Sequence, residues 1–194
     1  AKPAKGSAPD FAACLVQAAQ LLAQKGDAER TETVLLKSVD VTGKQFGADH
    51  PRVAIALASL ATLYRSQERF EAAKKSLIES LRILENDESA PRSALALVLN
   101  NLGTVYQQQG QLQTAEPLLQ KSGQLIEQEL GREHPRVAAA KMNLAIVLDS
   151  LGNRDEARVL FEKALSVFRN RLGSGHAWTR ECQQRLNGLV ASLP

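Results

Sequence analysis

The chain has 194 residues, 44% of them hydrophobic and 23% charged, with 24 Lys+Arg against 21 Asp+Glu for a formal net charge of +3. No apolar run is long enough for membrane insertion, no block of consecutive basic residues suits a nucleic acid, and two cysteines cannot build a disulfide framework. Aromatics make up only 4%, while Ala, Leu and Gln recur, which favours helices over strands.

Residues 1–9, Ala-Lys-Pro-Ala-Lys-Gly-Ser-Ala-Pro, read as a flexible leader. Because Ala1 is not a methionine, the compartment stays open: a soluble cytoplasmic protein is the expectation, and a secreted or periplasmic one if Ala1 is a processed end. From residue 10 onward the chain repeats itself. Ala18-Ala19-Gln20-Leu21-Leu22 opens the series as a weak copy, followed by Leu60-Ala61-Thr62-Leu63-Tyr64, Leu102-Gly103-Thr104-Val105-Tyr106 and Leu144-Ala145-Ile146-Val147-Leu148, each 42 residues apart. A trailing copy begins at Leu186. In the same register, Gly26, Gly110 and Gly152 share a column in which Glu68 substitutes. Further columns hold Ala73, Ala115 and Ala157, then Leu77, Leu119 and Phe161, then Ser80, Ser122 and Ala164.

Within a copy, Leu57, Leu60, Ala61 and Tyr64 fall at helical spacing on one face, and Ala73, Leu77, Leu81 and Leu84 form a second stripe after the break. Small columns mark close helix approach, and a Gly after the first stripe suits a left-handed helix end. The pattern predicts helix pairs over about 10–45, 49–86, 89–130 and 134–172, with boundaries uncertain by roughly two to four residues. A single closing helix over about 176–192 follows, all in one domain from 10 to 194. Linkers Gly47-Ala48-Asp49-His50-Pro51, Gly131-Arg132-Glu133-His134-Pro135 and Gly173-Ser174-Gly175-His176-Ala177 stop one helix and start the next. The linker at Ser89 and Pro91 departs from this pattern, so the following helix should start early or carry an irregular first turn.

The series Asn101-Leu102-Gly103-x-x-Tyr106, Gly110, Ala115, Leu119 resembles the tetratricopeptide repeat. The 42-residue period and the linker Leu130-Gly131-Arg132-Glu133-His134-Pro135-Arg136-Val137-Ala138 are similar to the kinesin light chain subtype. The resemblance implies an all-α, right-handed α-solenoid of four helix hairpins plus a C-terminal capping helix. It also implies a protein–protein interaction scaffold, in which the first helix of each pair lines a concave groove for an extended peptide or a partner's helix. A self-associating module, forming a homodimer or larger array, is the alternative. Carried over by column, the peptide-binding groove includes Gln17, Gln20, Gln24, Thr62, Arg65 and Ser66, then Asn100, Asn101, Thr104, Gln107 and Gln108, then Asn143 and Asp149. Amides that both donate and accept suit a peptide backbone. Arg65 and Arg185 are the expected groove cations, too few for a strong anion clamp.

His50, His134 and His176 are one linker position copied along the stack, so a role near a helix start is expected and a shared metal is not. Cys14 and Cys182 occupy a column otherwise filled by Ala56, Val98 and Ala140, a small packing slot, and read as free thiols. Asp155-Glu156 complements the dipole of a second helix. No phosphate loop, nucleophile elbow or HExxH motif occurs, so neither an enzyme nor a cofactor is expected. In the closing helix, Trp178, Cys182, Leu186, Leu189 and Val190 form one stripe that covers the last pair, with Trp178 expected to pack rather than protrude.

Overall fold

The computed structural model describes residues 11–191, with side chains from Cys14 onward; the leader read at residues 1–9 lies outside them. Among the described residues the structure is helical throughout, without a strand. The chain divides into two compact units, Ala1–Ala90 and Pro91–Pro194. The first holds α1 (Phe11–Gln24), α2 (Ala28–Phe46), α3 (Pro51–Ser66) and α4 (Phe70–Glu85). The second holds α5 (Arg92–Gln108), α6 (Leu112–Leu130), α7 (Pro135–Ser150), α8 (Arg154–Leu172) and α9 (Ala177–Ala191).

Each hairpin turns where the sequence expects it. Gly26, Gly110 and Gly152 adopt φ of 76°, 74° and 87°, and Glu68 adopts φ of 58° in the same column. The left-handed conformation costs a residue with a Cβ roughly 1–2 kcal/mol, so Glu68 carries strain that the three glycines avoid. The reward is a compact closure: Arg69 N donates to Tyr64 O at 2.8 Å, as Gln111 N does to Tyr106 O and Asn153 N to Leu148 O, both at 2.9 Å.

Histidines start three helices. The Nδ1 atoms of His50 and His134 each accept from a backbone N–H two residues on, Arg52 and Arg136, at 3.1 Å. His176 Nδ1 accepts from Trp178 N at 3.2 Å. The rings do the work that a Ser or Asp side chain does at other helix N-caps, satisfying a donor with no intrahelical partner. Pro51 and Pro135 follow at the first helical position, where their missing N–H costs nothing. The α5 start lacks this device: Pro91 caps it without a side-chain bond, and α5 begins one residue earlier in the register than α3.

Within a hairpin, the small columns set the distance. A Cβ added at Gly103 would lie 2.7 Å from Leu119 Cγ, so α5 and α6 meet closer there than alanine permits without a shift. The flanking serines are bonded as well as small. Ser122 Oγ donates to Ala96 O at 2.6 Å, and Ser80 Oγ donates to Ala54 O at 2.7 Å, both in buried surroundings. In the hairpin of α7 and α8 the equivalent residue is Ala164, fully buried with Phe161 and Phe168. In the first unit, Arg69 ties α4 back to α2 by a 2.7 Å ion pair with Glu32 and lies 4.3 Å over the Tyr64 ring. That guanidinium holds the Glu32 carboxyl below its usual range.

In the second unit, α9 packs on α8 and α7. Cys182 and Leu189 are buried and Leu186 packs beside them, as the stripe predicts. Val190 does not join them and is 51% exposed, because one residue past Leu189 turns it about 100° round the helix. Trp178 packs on Phe168, with ring centroids 5.8 Å apart, yet keeps 39% of its surface exposed.

Glu68→Gly should raise stability by about 1 kcal/mol by removing the left-handed strain, read as a higher urea midpoint; an unchanged or lower midpoint would contradict it. His134→Ala should cost about 0.5–2 kcal/mol through the lost cap, with His134→Asn recovering most of it. Equal midpoints for the two variants would show that the ring bond contributes nothing.

Candidate functional site

In each unit the first helices of successive hairpins touch one another, α1 with α3, and α5 with α7 and α7 with α9. Among the described residues the second helices do not, α2 packing on α3 and α6 on α7. First helices therefore gather into one face per unit.

In the first unit this face contains a cleft of about 440 Å³ between α1, α2 and α3. Val16, Ala19, Ala23, Leu35 and Leu63 supply apolar walls, and Gln20, Ser59, Thr62, Arg65 and Ser66 supply the polar lining. Four residues that the sequence assigns to the groove, Gln20, Thr62, Arg65 and Ser66, meet here. Gln17 and Gln24 are exposed on α1 but do not line the cleft. The hydroxyls of Ser59, Thr62 and Ser66 donate to the carbonyls of Ile55, Ala58 and Leu63 of their own helix, at 3.1, 3.0 and 2.7 Å. Their oxygens thus face the cleft mainly as acceptors. Arg65 differs, since its Nε–H is buried and meets no acceptor. A buried donor left unmade costs about 1–3 kcal/mol, which makes this the most demanding polar atom on the face.

In the second unit the amides are organised by each other. Asn143 Nδ2 donates to Asn100 Oδ1 at 2.9 Å, tying α7 to α5. Thr104 donates to the carbonyls of Asn100 and Asn101 at 3.0 and 2.8 Å. Asn101 and Gln107 are half-buried, Gln108 is exposed, and the Asp149 carboxylate lies 3.8 Å from Arg154. The bond joins columns one residue out of register, Asn100 and Asn143, which a strict 42-residue alignment does not pair. Sequence reading also misses the apolar walls from Val16 on α1 and Leu35 on α2, because an apolar residue on an amphipathic helix reads as core. Arg185, expected as a second groove cation, is paired with Glu181 at 3.2 Å.

The remaining candidates serve structure. The three histidines are helix caps, and among the described residues no group of three His, Cys, Asp or Glu gathers to hold a metal. Cys14 is exposed, whereas Cys182 is buried and its thiol donates to Phe161 O at 3.4 Å. Burial pushes the Cys182 thiol up to about 11. No helix among the described residues is long and apolar enough to cross a membrane.

Helix hairpins stacked with their first helices on one face in each unit define an all-α repeat protein of the solenoid class, which serves as a scaffold for binding other proteins. A family model for the tetratricopeptide repeat matches residues 10–86 and 94–170, and the chain belongs to that family. No curated protein matches the sequence. Two solved structures from Podosopora anserina, of kinesin light chain nearly identical TPR-like repeats, are similar at 22% identity with a TM-score of 0.76. They cover 94% and 96% of this chain and 86% and 88% of their own. BtubC (BKLC) from P. vanneervenii is similar at 21% identity and a TM-score of 0.72, over 85% of this chain and 66% of that one. At these identities the likeness establishes the fold.

The buried thiol leads to a chemical test. Iodoacetamide at pH 8 should modify Cys14 readily and leave Cys182 protected, because the reactive thiolate of Cys182 forms only as pH nears about 11. Both sites should react in denaturant. Equal labelling of the two cysteines in the native protein would mean that α9 does not stay docked on α8.

Proposed function

We propose that the first-helix faces bind an extended segment of a partner protein. The observation that carries this reading is the cleft of the first unit, where polar groups surround an apolar floor and the Arg65 Nε–H lacks an acceptor. A peptide carbonyl satisfies that donor, and an apolar side chain of the same segment covers Val16, Ala19, Leu35 and Leu63. Gln20 offers both a donor and an acceptor to the backbone beside it. In the second unit the Asn143–Asn100 bond leaves one Nδ2 hydrogen of Asn143 and the Asn100 Nδ2 as outward donors, together with the side chains of Gln107 and Gln108. The reading favours hydrogen bonds over charge, so association depends only mildly on salt.

Self-association is the second reading. It is favoured by Leu36 and Ile78, which occupy equivalent positions on α2 and α4 and are 49% and 53% exposed. Light scattering separates the two: a concentration-independent monomer removes the homodimer.

The direct test uses peptides selected from a displayed random library against the intact protein, titrated calorimetrically. Arg65→Met should weaken the selected peptides about tenfold, or about 1.4 kcal/mol, because it deletes the buried donor while keeping the side chain's bulk. Leu36→Ser should have no effect. Unchanged affinity in Arg65→Met, with loss in Leu36→Ser, would place binding on the second helices and overturn the reading.

A further inference from the structure

The closing helix carries a second, differently built surface. In the preceding hairpins the second helix lies on a fixed face of the first: Ala54 and Ala96 accept from Ser80 and Ser122, and Gly103 meets Leu119. In α9 the columns of Ala54, Ala96 and Ala138 are continued by Arg180, and those of Ala61, Gly103 and Ala145 by Asn187. Small buried positions have become long and polar, so an apolar helix cannot pack there as it does elsewhere. Arg180, Gln183, Gln184 and Asn187 instead line a cleft of about 470 Å³ with Thr179, Ser174 and Arg169 of α8.

The lining is rich in donors and contains no carboxylate. Arg169 donates to Gln183 Oε1, Gln183 Nε2 donates to Asn187 Oδ1 at 2.7 Å, and the chain therefore ends on the Asn187 amide donors. Arg180 uses one N–H on Gly175 O at 2.9 Å. Neither Arg169 nor Arg180 forms an ion pair among the described residues, whereas Arg185 on the same helix is neutralised by Glu181. Two uncompensated guanidinium groups and a donor-terminated amide chain share one recess. Its α9 wall runs from Thr179 to Asn187, about 12 Å of helix, longer than a single small anion needs.

We infer that this recess is a docking site for an acidic segment of a partner protein, whose side-chain carboxylates pair with Arg169 and Arg180. Bidentate guanidinium–carboxylate pairing gives it specificity for Asp and Glu side chains over a diffuse negative charge. The site is independent of the first-helix faces and sits on the side of α9 that corresponds to the second-helix side of α3, α5 and α7.

A fluorescein-labelled hexaglutamate peptide titrated by anisotropy against the whole chain tests this. Saturable binding is expected, absent for hexaglutamine and weakened at least about tenfold in Arg169→Gln/Arg180→Gln. Arg136→Gln, which removes a charge elsewhere, should bind as the parent does, and the thermal midpoint of each variant checks folding. Arg169→Lys/Arg180→Lys keeps the charge and should bind less well than the parent. The inference is overturned if hexaglutamate does not bind, or if Arg136→Gln lowers affinity as much as the double variant. It is also overturned if inorganic phosphate competes at equal concentration, which would make the recess a small-anion site.

Discussion

Leu119 reaches into α5 so closely that a Cβ at position 103 would force a shift, and the other hairpins hold the nearly as small Ala61 and Ala145 in the same column. Close approach of the two helices in each hairpin is the constraint from which the rest follows. It fixes why Ala73, Ala115 and Ala157 are all fully buried, and why Ser80 and Ser122 can reach carbonyls of the neighbouring helix. Tight turns and capped starts then serve that approach. A left-handed residue closes each hairpin within a few positions, and a His-capped start redirects the chain after three of the linkers. Glu68 shows the order of priority, since the turn is kept at a residue that resists it.

The same packing explains the division of labour between helices. Second helices are held on the first helix of their own hairpin, and α2, α6 and α8 also on the first-position helix that follows, so their surfaces are largely spent on the core. First helices touch one another along each unit and keep a polar flank outward. On that flank, hydroxyls satisfied within their own helix contribute acceptors, amides contribute both functions, and Arg65 contributes a donor in need of a partner.

Fold was readable because it is written in columns. One period placed the left-handed turns, the small packing positions and the histidines at helix starts, while their capping bonds emerge only in the structure. The irregular start of α5 was legible too, from the displaced Pro91. What a column cannot carry is a relation between different columns. The bond from Asn143 to Asn100 crosses the register by one residue, and the cleft under Arg65 depends on Leu35 of a second helix. Serine in the buried column read only as small, because spacing does not reveal a hydrogen bond to a carbonyl on the other helix. Val190 shows the converse error: a stripe near a helix end extends farther in sequence than its contacts do in space.

Amide hydrogen exchange, compared with and without a peptide selected from a random library, tests the central claim that recognition belongs to the first helices. Protection should rise along α1, α3 and the start of α2 as far as Leu35, or along α5 and α7, and stay unchanged in the rest of α2 and in α4, α6 and α8 beyond their first turns. Protection concentrated in the middle of the second helices would contradict the account, because those surfaces would then be binding a partner rather than holding the hairpins together.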